Sequence, residues 1–237
     1  MILPSKGGIF MAAGSLLKIR LHENDRTHWN RRVAYEEIVR HLWSNGAPGV
    51  TVFRAEEGLD ARGYVQDIHS EYLSTSLPIT MEVIGTPEDM ERICVDLPQL
   101  LPPVSQVMVI SGVNDVKQGL SKEGWSMSEV NILRVYMKEE DRHHHMPLYH
   151  AMLKELKDLG VLWVYAQRAL EGFGQEHVIH KTSLLSFSEH APVVLEATLD
   201  PKTAVSVLDR IRPLLQKASG PAILMGADAL HLNTMTR

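Results

Sequence analysis

Apolar positions along this chain keep two rhythms, every second residue in short runs and helical spacing between those runs, and the alternation is played through twice. Residues 16–22 and 132–138 are short runs of aliphatic and β-branched side chains, which predicts strands. After the second of them, Leu148, Tyr149, Met152, Leu153, Leu156 and Leu159 fall on one helical face and Gly160 ends the pattern. The earlier counterpart runs from about 32 to 45 and stops at Gly46. Residues 50–54 and 161–168 read as second strands, and residues 79–84 and 193–198 as third strands beyond a glycine-containing loop. Thr86-Pro87-Glu88-Asp89 has the signature of a helix start, with a hydroxyl cap, proline in the first turn and carboxylates on the helix dipole. Asp200-Pro201 repeats it, and residues 104–110 and 222–225 supply last strands.

The rhythm repeats because the residues do. Tyr35, Gly46, Arg54-Ala55 and Glu57-Gly58 return 114 positions later as Tyr149, Gly160, Arg168-Ala169 and Glu171-Gly172, as do Pro78 and Glu82 as Pro192 and Glu196. Asp25-Arg26 returns as Asp141-Arg142 and Ile68-His69 as Ile179-His180, with small changes of offset where loops are expected. The reading is a tandem duplication: domains at 16–112 and 131–228, a linker at 113–130, a flexible leader at 1–15 with Met1 or Met11 as the native start, and a tail at 229–237. Each half is β-α-β-β-α-β, the ferredoxin-like order of the α+β class. Right-handed crossovers make the first two strands parallel. The loop after strand one, the hairpin between strands two and three, and the loop before strand four then share one end of each domain. Asp25-Arg26 should approach Arg54, and Asp141-Arg142 should approach Arg168.

Composition narrows the class. One cysteine, Cys94, excludes an internal disulfide and a thiolate zinc cage, and points to a reducing, cytoplasmic setting. A net charge of −5 leaves no basic stripe for nucleic acid, and no run has the roughly 18 apolar residues of a membrane span.

The repeated polar residues are the candidate ligand-binding set: Asp141, Arg142, Arg168, Glu171, Gly172, Gly174 and His180, with Asp25, Arg26, Arg54, Gly58 and His69 in the first half. An arginine fork grips phosphate or carboxylate. The structural alternatives are a helix cap for the aspartates with a surface ion pair from the neighbouring arginine, and a hairpin-base ion pair from Arg54 to Glu57 or Arg168 to Glu171. His143, His144 and His145 are adjacent and point in different directions, so a shared metal ion is not expected. Trp43, Trp163, Tyr35 and Tyr149 read as core or interface residues. No nucleophile with a base and orienter stands out, and the expectation is a binding protein without enzymatic activity. The two hairpins should also differ. Glu56, Glu57 and Asp60 make the first less hospitable to an anion than Arg168-Ala169-Leu170-Glu171-Gly172-Phe173-Gly174 makes the second.

Leu133-Arg134-Val135-Tyr136, Glu140-Asp141-Arg142-His143, Pro147-Leu148-Tyr149, the Arg168 to Gly174 run and Val178-Ile179-His180 resemble a bacterial and archaeal domain family grouped with the PII-like signal-transduction superfamily. The first half resembles it more loosely, with Leu59 for the aromatic residue and Asp60 for the second glycine. The resemblance implies PII-like domains, trimeric packing, and an adenine nucleotide (ATP, ADP or AMP) bound near the hairpin. It also implies a transporter or enzyme as regulated target. The rival expectations are a metal-dependent enzyme built on the histidines and a structural oligomerisation module.

Overall fold

The computed structural model describes residues 14–28, 31–59, 65–67, 76–117, 130–174, 180–181 and 192–227. His69, Asp60, the leader before Gly14 and the segment 118–129 lie outside them. The first half comprises β1 (Gly14–His22), α1 (Ala34–Ser44), β2 (Val50–Arg54), β3 (Glu57–Leu59), β4 (Val65–Asp67), β5 (Pro78–Gly85), α2 (Pro87–Cys94), α3 (Leu97–Leu100) and β6 (Gln106–Asp115). The second comprises β7 (Val130–Lys138), β8 (Arg142–His143), β9 (Met146–Pro147), α4 (Leu148–Asp158), β10 (Trp163–Arg168), β11 (Glu171–Phe173), β12 (His180–Lys181), β13 (Pro192–Leu199), α5 (Pro201–Leu215) and β14 (Ala222–Ala227).

Both halves have the strand order four-one-three-two of the ferredoxin-like unit: β6-β1-β5-β2 and β14-β7-β13-β10, every neighbour antiparallel. The local reasons are those written in the sequence. Gly46 and Gly160 take φ of +69° and +79°. Beyond each, the next N–H reaches back five residues, Ala47 to the Leu42 carbonyl and Val161 to that of Leu156, which closes α1 and α4 in the same Schellman manner. Thr86 and Asp89 form a reciprocal capping box on α2. Strand limits differ from the sequence reading chiefly at the end of the first half. There β6 continues to Asp115, past the expected start of the linker at 113, because its last residues pair with β14.

That pairing, Ile223 with Asp115 and Leu224 with Asn114, joins both halves into one ten-stranded sheet. Each half packs one face under its own helices, around Leu17, Ile38 and Ile79 in the first and Leu133, Met152 and Leu208 in the second. The opposite faces meet each other over Leu16, Phe53 and Val113 from the first half and Tyr136, Val194 and Ile223 from the second. Fully burying such an aliphatic or aromatic side chain contributes about 1.5–3 kcal/mol. Each half's open face is thus covered by its twin.

The second-half hairpin does not stay with its own domain. Leu170 donates its N–H to the Val52 carbonyl, and β11 then pairs with β2, Glu171 opposite Val52 and Phe173 opposite Val50. Among the described residues its first-half counterpart, β3, pairs with β4 alone and lies against β5. β10 has, among the described residues, one strand neighbour, β13. Trp163, expected to be core or interface, is 77% exposed there, and Trp43 on α1 is 45% exposed. Tyr35 and Tyr149 are half-buried against the two helical cores.

Candidate functional site

The shared loop end is built as the topology requires. The Asp25 carboxylate accepts the His22 N–H at 2.8 Å, and the Asp25 carbonyl accepts the Ala34 N–H that opens α1. Asp141 repeats this, accepting the N–H groups of Lys138 and Ser219 on its carboxylate and that of Leu148 on its carbonyl. Both aspartates therefore hold turns and do not cap the helices, since the N-cap positions of α1 and α4 are Val33 and Pro147. Arg26 is exposed, and Arg142 donates to the Glu139 and Asp141 carbonyls.

The repeated arginines are in ion pairs, with partners other than those the spacing suggested. Arg54 reaches Glu23 twice, Nε to Oε1 at 3.0 Å and Nη2 to Oε2 at 2.9 Å. Arg168 pairs with Glu139, the residue corresponding to Glu23. The expected partners Glu57 and Glu171 go elsewhere because the hairpins leave the base of the domain: Glu57 is exposed, and Glu171 is carried across to β2 and buried at 3% exposure. There Glu171 faces Tyr35, whose phenol is pushed up to about 12 by burial first and then by the Glu171, Glu36 and Glu23 carboxylates.

Where β11 crosses, it closes one side of a cavity of about 590 Å³ between the halves. Pro48 to Thr51, Glu82 and Ile84 form the first-half wall, with Asp115 and Lys117 beyond them. Tyr136 to Lys138, Pro192 to Val194, and Gln216 with Ser219 to Pro221 form the other, and Gly172 and Gly174 complete the lining. A Cβ on Gly172 would stand 2.5 Å from the Val50 carbonyl oxygen, so the close approach of β11 to β2 demands glycine. Gly174 has no atom within 4 Å of a Cβ and φ outside the left-handed region, so nothing at that position requires glycine. Gly58 instead abuts the Pro78 ring. His180 pairs with Gly172 through the backbone.

Glu82 and Tyr136 of the lining belong to a buried ionic cluster. Glu82, 4% exposed, accepts from Lys18 at 3.0 Å, Arg134 at 2.7 Å and the Tyr136 hydroxyl at 2.8 Å. Arg134 also grips Glu196, which accepts the Tyr165 hydroxyl at 2.8 Å. Burial would by itself lower the Arg134 guanidinium, but Tyr136, Glu82 and Glu196 together raise it. The Tyr136 hydroxyl is driven far above its usual range by burial and by the Glu82 carboxylate, and stays a donor. Two carboxylates face two cations, so the cluster is balanced and ties β5 of one half to β7 and β13 of the other. Sequence reasoning had Glu82 and Glu196 only as marks of the repeat. Their signal was there: each sits on the sheet face away from the helices and is the one charged residue of its strand.

Elsewhere in the lining, the Lys117 ammonium donates to the Ala218 and Gly220 carbonyls at 2.5 and 3.0 Å. Carbonyls carry no formal charge, so Lys117 presents a cation to the cavity; Lys138 beside it is paired with Glu140 at 4.0 Å, and Asp115 adds a carboxylate to the lining. Of the predicted site residues, Gly172 and Gly174 line this cavity, Asp141 props its Lys138 and Ser219 edge, and Arg54, Arg142 and Arg168 stand outside its lining. Among the described residues no group of three or more histidine, cysteine or acidic side chains is placed to hold a metal ion. His143 contacts Lys217 instead. No helix of the described residues is long and apolar enough to cross a membrane.

Fold and cavity define a tandem α+β protein whose two domains enclose a small-molecule-sized space at their seam. The chain belongs to the DUF190 family, described as "Uncharacterized ACR, COG1993", whose model matches twice, at residues 14–114 and 130–225. Among solved structures it is similar to an unknown protein from Galdieria sulphuraria at 9% identity, covering 90% of this chain and 96% of that one with a TM-score of 0.25. A putative glycine cleavage system transcriptional repressor is 11% identical, covering 86% and 91% with a TM-score of 0.24. A heme-binding protein from Thermus thermophilus is 13% identical, covering 90% of both chains with a TM-score of 0.22. All three likenesses are distant and say nothing of ligand or activity for this chain.

Proposed function

We propose that this is a regulatory binding protein, not an enzyme, which holds a small anionic effector in the seam cavity and signals occupancy through the β11 arm to a protein partner in the cytoplasm. The observation that carries the reading is that one cavity is walled by both domains and by the crossing arm. Its volume of about 590 Å³ falls in the ordinary range of ligand pockets, roughly 300–1,000 Å³. A ligand there touches β2 and β11 together, so its binding energy acts directly on their pairing. Lys117 supplies charge for a phosphate or carboxylate, Lys138 adds a second cation beside its Glu140 partner, and Gly172 lets backbone approach closely. The PII resemblance adds the adenine nucleotides as first candidates, and a transporter or enzyme as target. The three-subunit packing it implies provides single-domain proteins with clefts between subunits. Here two domains of one chain form such a cleft.

Calorimetric titration of the whole protein with ATP, ADP and AMP tests the nucleotide version. The expected result is saturable binding that Lys138→Ala and Lys117→Ala each weaken about tenfold, the scale of one charge-assisted hydrogen bond. Absence of binding at millimolar nucleotide overturns that version, and binding indifferent to both lysines overturns the placement.

A further inference from the structure

Among the described residues, β10 is an edge strand with none of the usual protection. Natural edges are blunted by lysine, proline, a bulge or a covering segment. β10 pairs with β13 without a break from Trp163 to Arg168, holds no lysine or proline, and its one charge, Arg168, is already engaged by Glu139. Its outer side shows Trp163 at 77% exposure and Tyr165 at 50%, preceded by Leu162 at 59% and Leu159 at 37%. The corresponding edge of the other half, β2, is covered by β11. The segment that would cover β10 by the same logic, Glu57–Leu59, is engaged in its own ribbon with β4.

We propose that β10 is the contact between two copies of this chain, joined by antiparallel β10–β10 pairing about a twofold axis at Val164. The strand is complementary to itself in that register. Residues directly opposite one another in a sheet share a face, so a twofold axis normal to the sheet must pass through a residue, not between two. With the axis at Val164, Trp163 lies against Tyr165 of the second copy, and Leu162 against Ala166. Both aromatic pairs occur, by symmetry, and every large exposed apolar side chain of the edge meets an apolar partner. Moving the axis to Tyr165 sets Trp163 against Gln167 and Leu162 against Arg168, which wastes the match. An antiparallel pair uses one patch on both subunits and closes after two copies, where a heterologous contact propagates. The strand is six residues long, so the interface is at the small, reversible end of the range.

Sedimentation of the intact protein over a roughly hundredfold range of micromolar concentrations reads the contact directly. The mass should rise from 26.6 kDa toward twice that value. Trp163→Lys and Tyr165→Lys should each weaken association at least about tenfold with an unchanged circular dichroism spectrum, since lysine is the natural edge blocker. Trp43→Lys on α1 should leave it alone. Val164→Cys in a Cys94→Ser background should give an oxidised covalent dimer, because the axis sets the two copies of residue 164 face to face. A species that stays at monomer mass, a trimer, or association untouched by Trp163→Lys overturns the proposal. Failure of the Val164→Cys dimer to form overturns the register.

Discussion

The two hairpins begin alike and end apart. Arg54-Ala55 and Arg168-Ala169 leave their strands identically: each arginine pairs with the glutamate after strand one, and each alanine N–H binds the carbonyl of the repeated proline, Pro78 or Pro192. One residue later they diverge. Leu170 is half-buried against the first-half core and carries its chain across to β2, whereas its counterpart Glu56 is exposed and charged. A leucine there is drawn to the neighbour's apolar surface, and a carboxylate there would lose its hydration. A single exchange of polarity thus separates an arm that closes a cavity from a ribbon that stays at home. The sheet faces keep the repeat instead: Lys18, the counterpart of Arg134 at the 116-residue offset of strand one, stands opposite Glu82 as Arg134 stands opposite Glu196, and both cations belong to the ionic cluster.

The largest expected contrast is between Arg134 and Arg20, an exposed arginine of β1 that donates to Gln106. Arg134→Ala leaves Glu82 short of a buried partner and should cost about 3–5 kcal/mol in denaturant unfolding, against about 0–1 kcal/mol for Arg20→Ala. Equal losses would mean that the cluster does not tie the halves together.

The next contrast lies within one arm. Gly172→Ala drives a Cβ into the Val50 carbonyl and should cost about 1–3 kcal/mol while weakening ligand binding, whereas Gly174→Ala should be close to neutral. Gly58→Ala meets the Pro78 ring instead, so its penalty should leave the β2–β11 pairing untouched. Hydrogen exchange at residues 50–52 distinguishes the two kinds of strain.

Leu170→Glu makes the second hairpin resemble the first. It should cost about 1–2 kcal/mol, lost burial of a partly exposed leucine, and accelerate exchange of the 170–173 amides. An arm still protected in that variant would mean that backbone pairing alone holds the crossing.

The smallest effect is a titration. The folded Tyr35 phenol, at about 12, lies above its unfolded value near 10. The stability it contributes is therefore complete below pH 10 and is lost as pH rises through 12. Because Glu171 is one cause, Glu171→Gln should lower the Tyr35 titration, read from tyrosinate absorbance against a Tyr35→Phe control. A titration unmoved by that change would place the arm away from α1.

The duplicated secondary structure was legible because its determinants are local. Gly46 and Gly160, the Thr86–Asp89 box and the strand alternation act within a few residues, and a repeat displays them twice. The loop cluster was legible too, since antiparallel order forces loops to one end, and Asp25, Asp141, Arg54 and Arg168 are there. Their partners were not, because an ion pair depends on where Glu23 and Glu139 point, and the hairpin glutamates are carried away by the path beyond them.

Sequence alone, then, determined two ferredoxin-like halves, their helix ends and the unlike character of their hairpins, all consequences of short-range backbone and polarity rules. Tertiary structure alone decided that the halves bury each other's open faces, that Glu82 and Arg134 meet 52 positions apart, and that β11 leaves its own domain for β2. Those outcomes follow from which apolar surfaces come within reach of one another once both domains exist. The cavity belongs to neither half, and arises where Leu170 finds a neighbour's core and Glu56 does not.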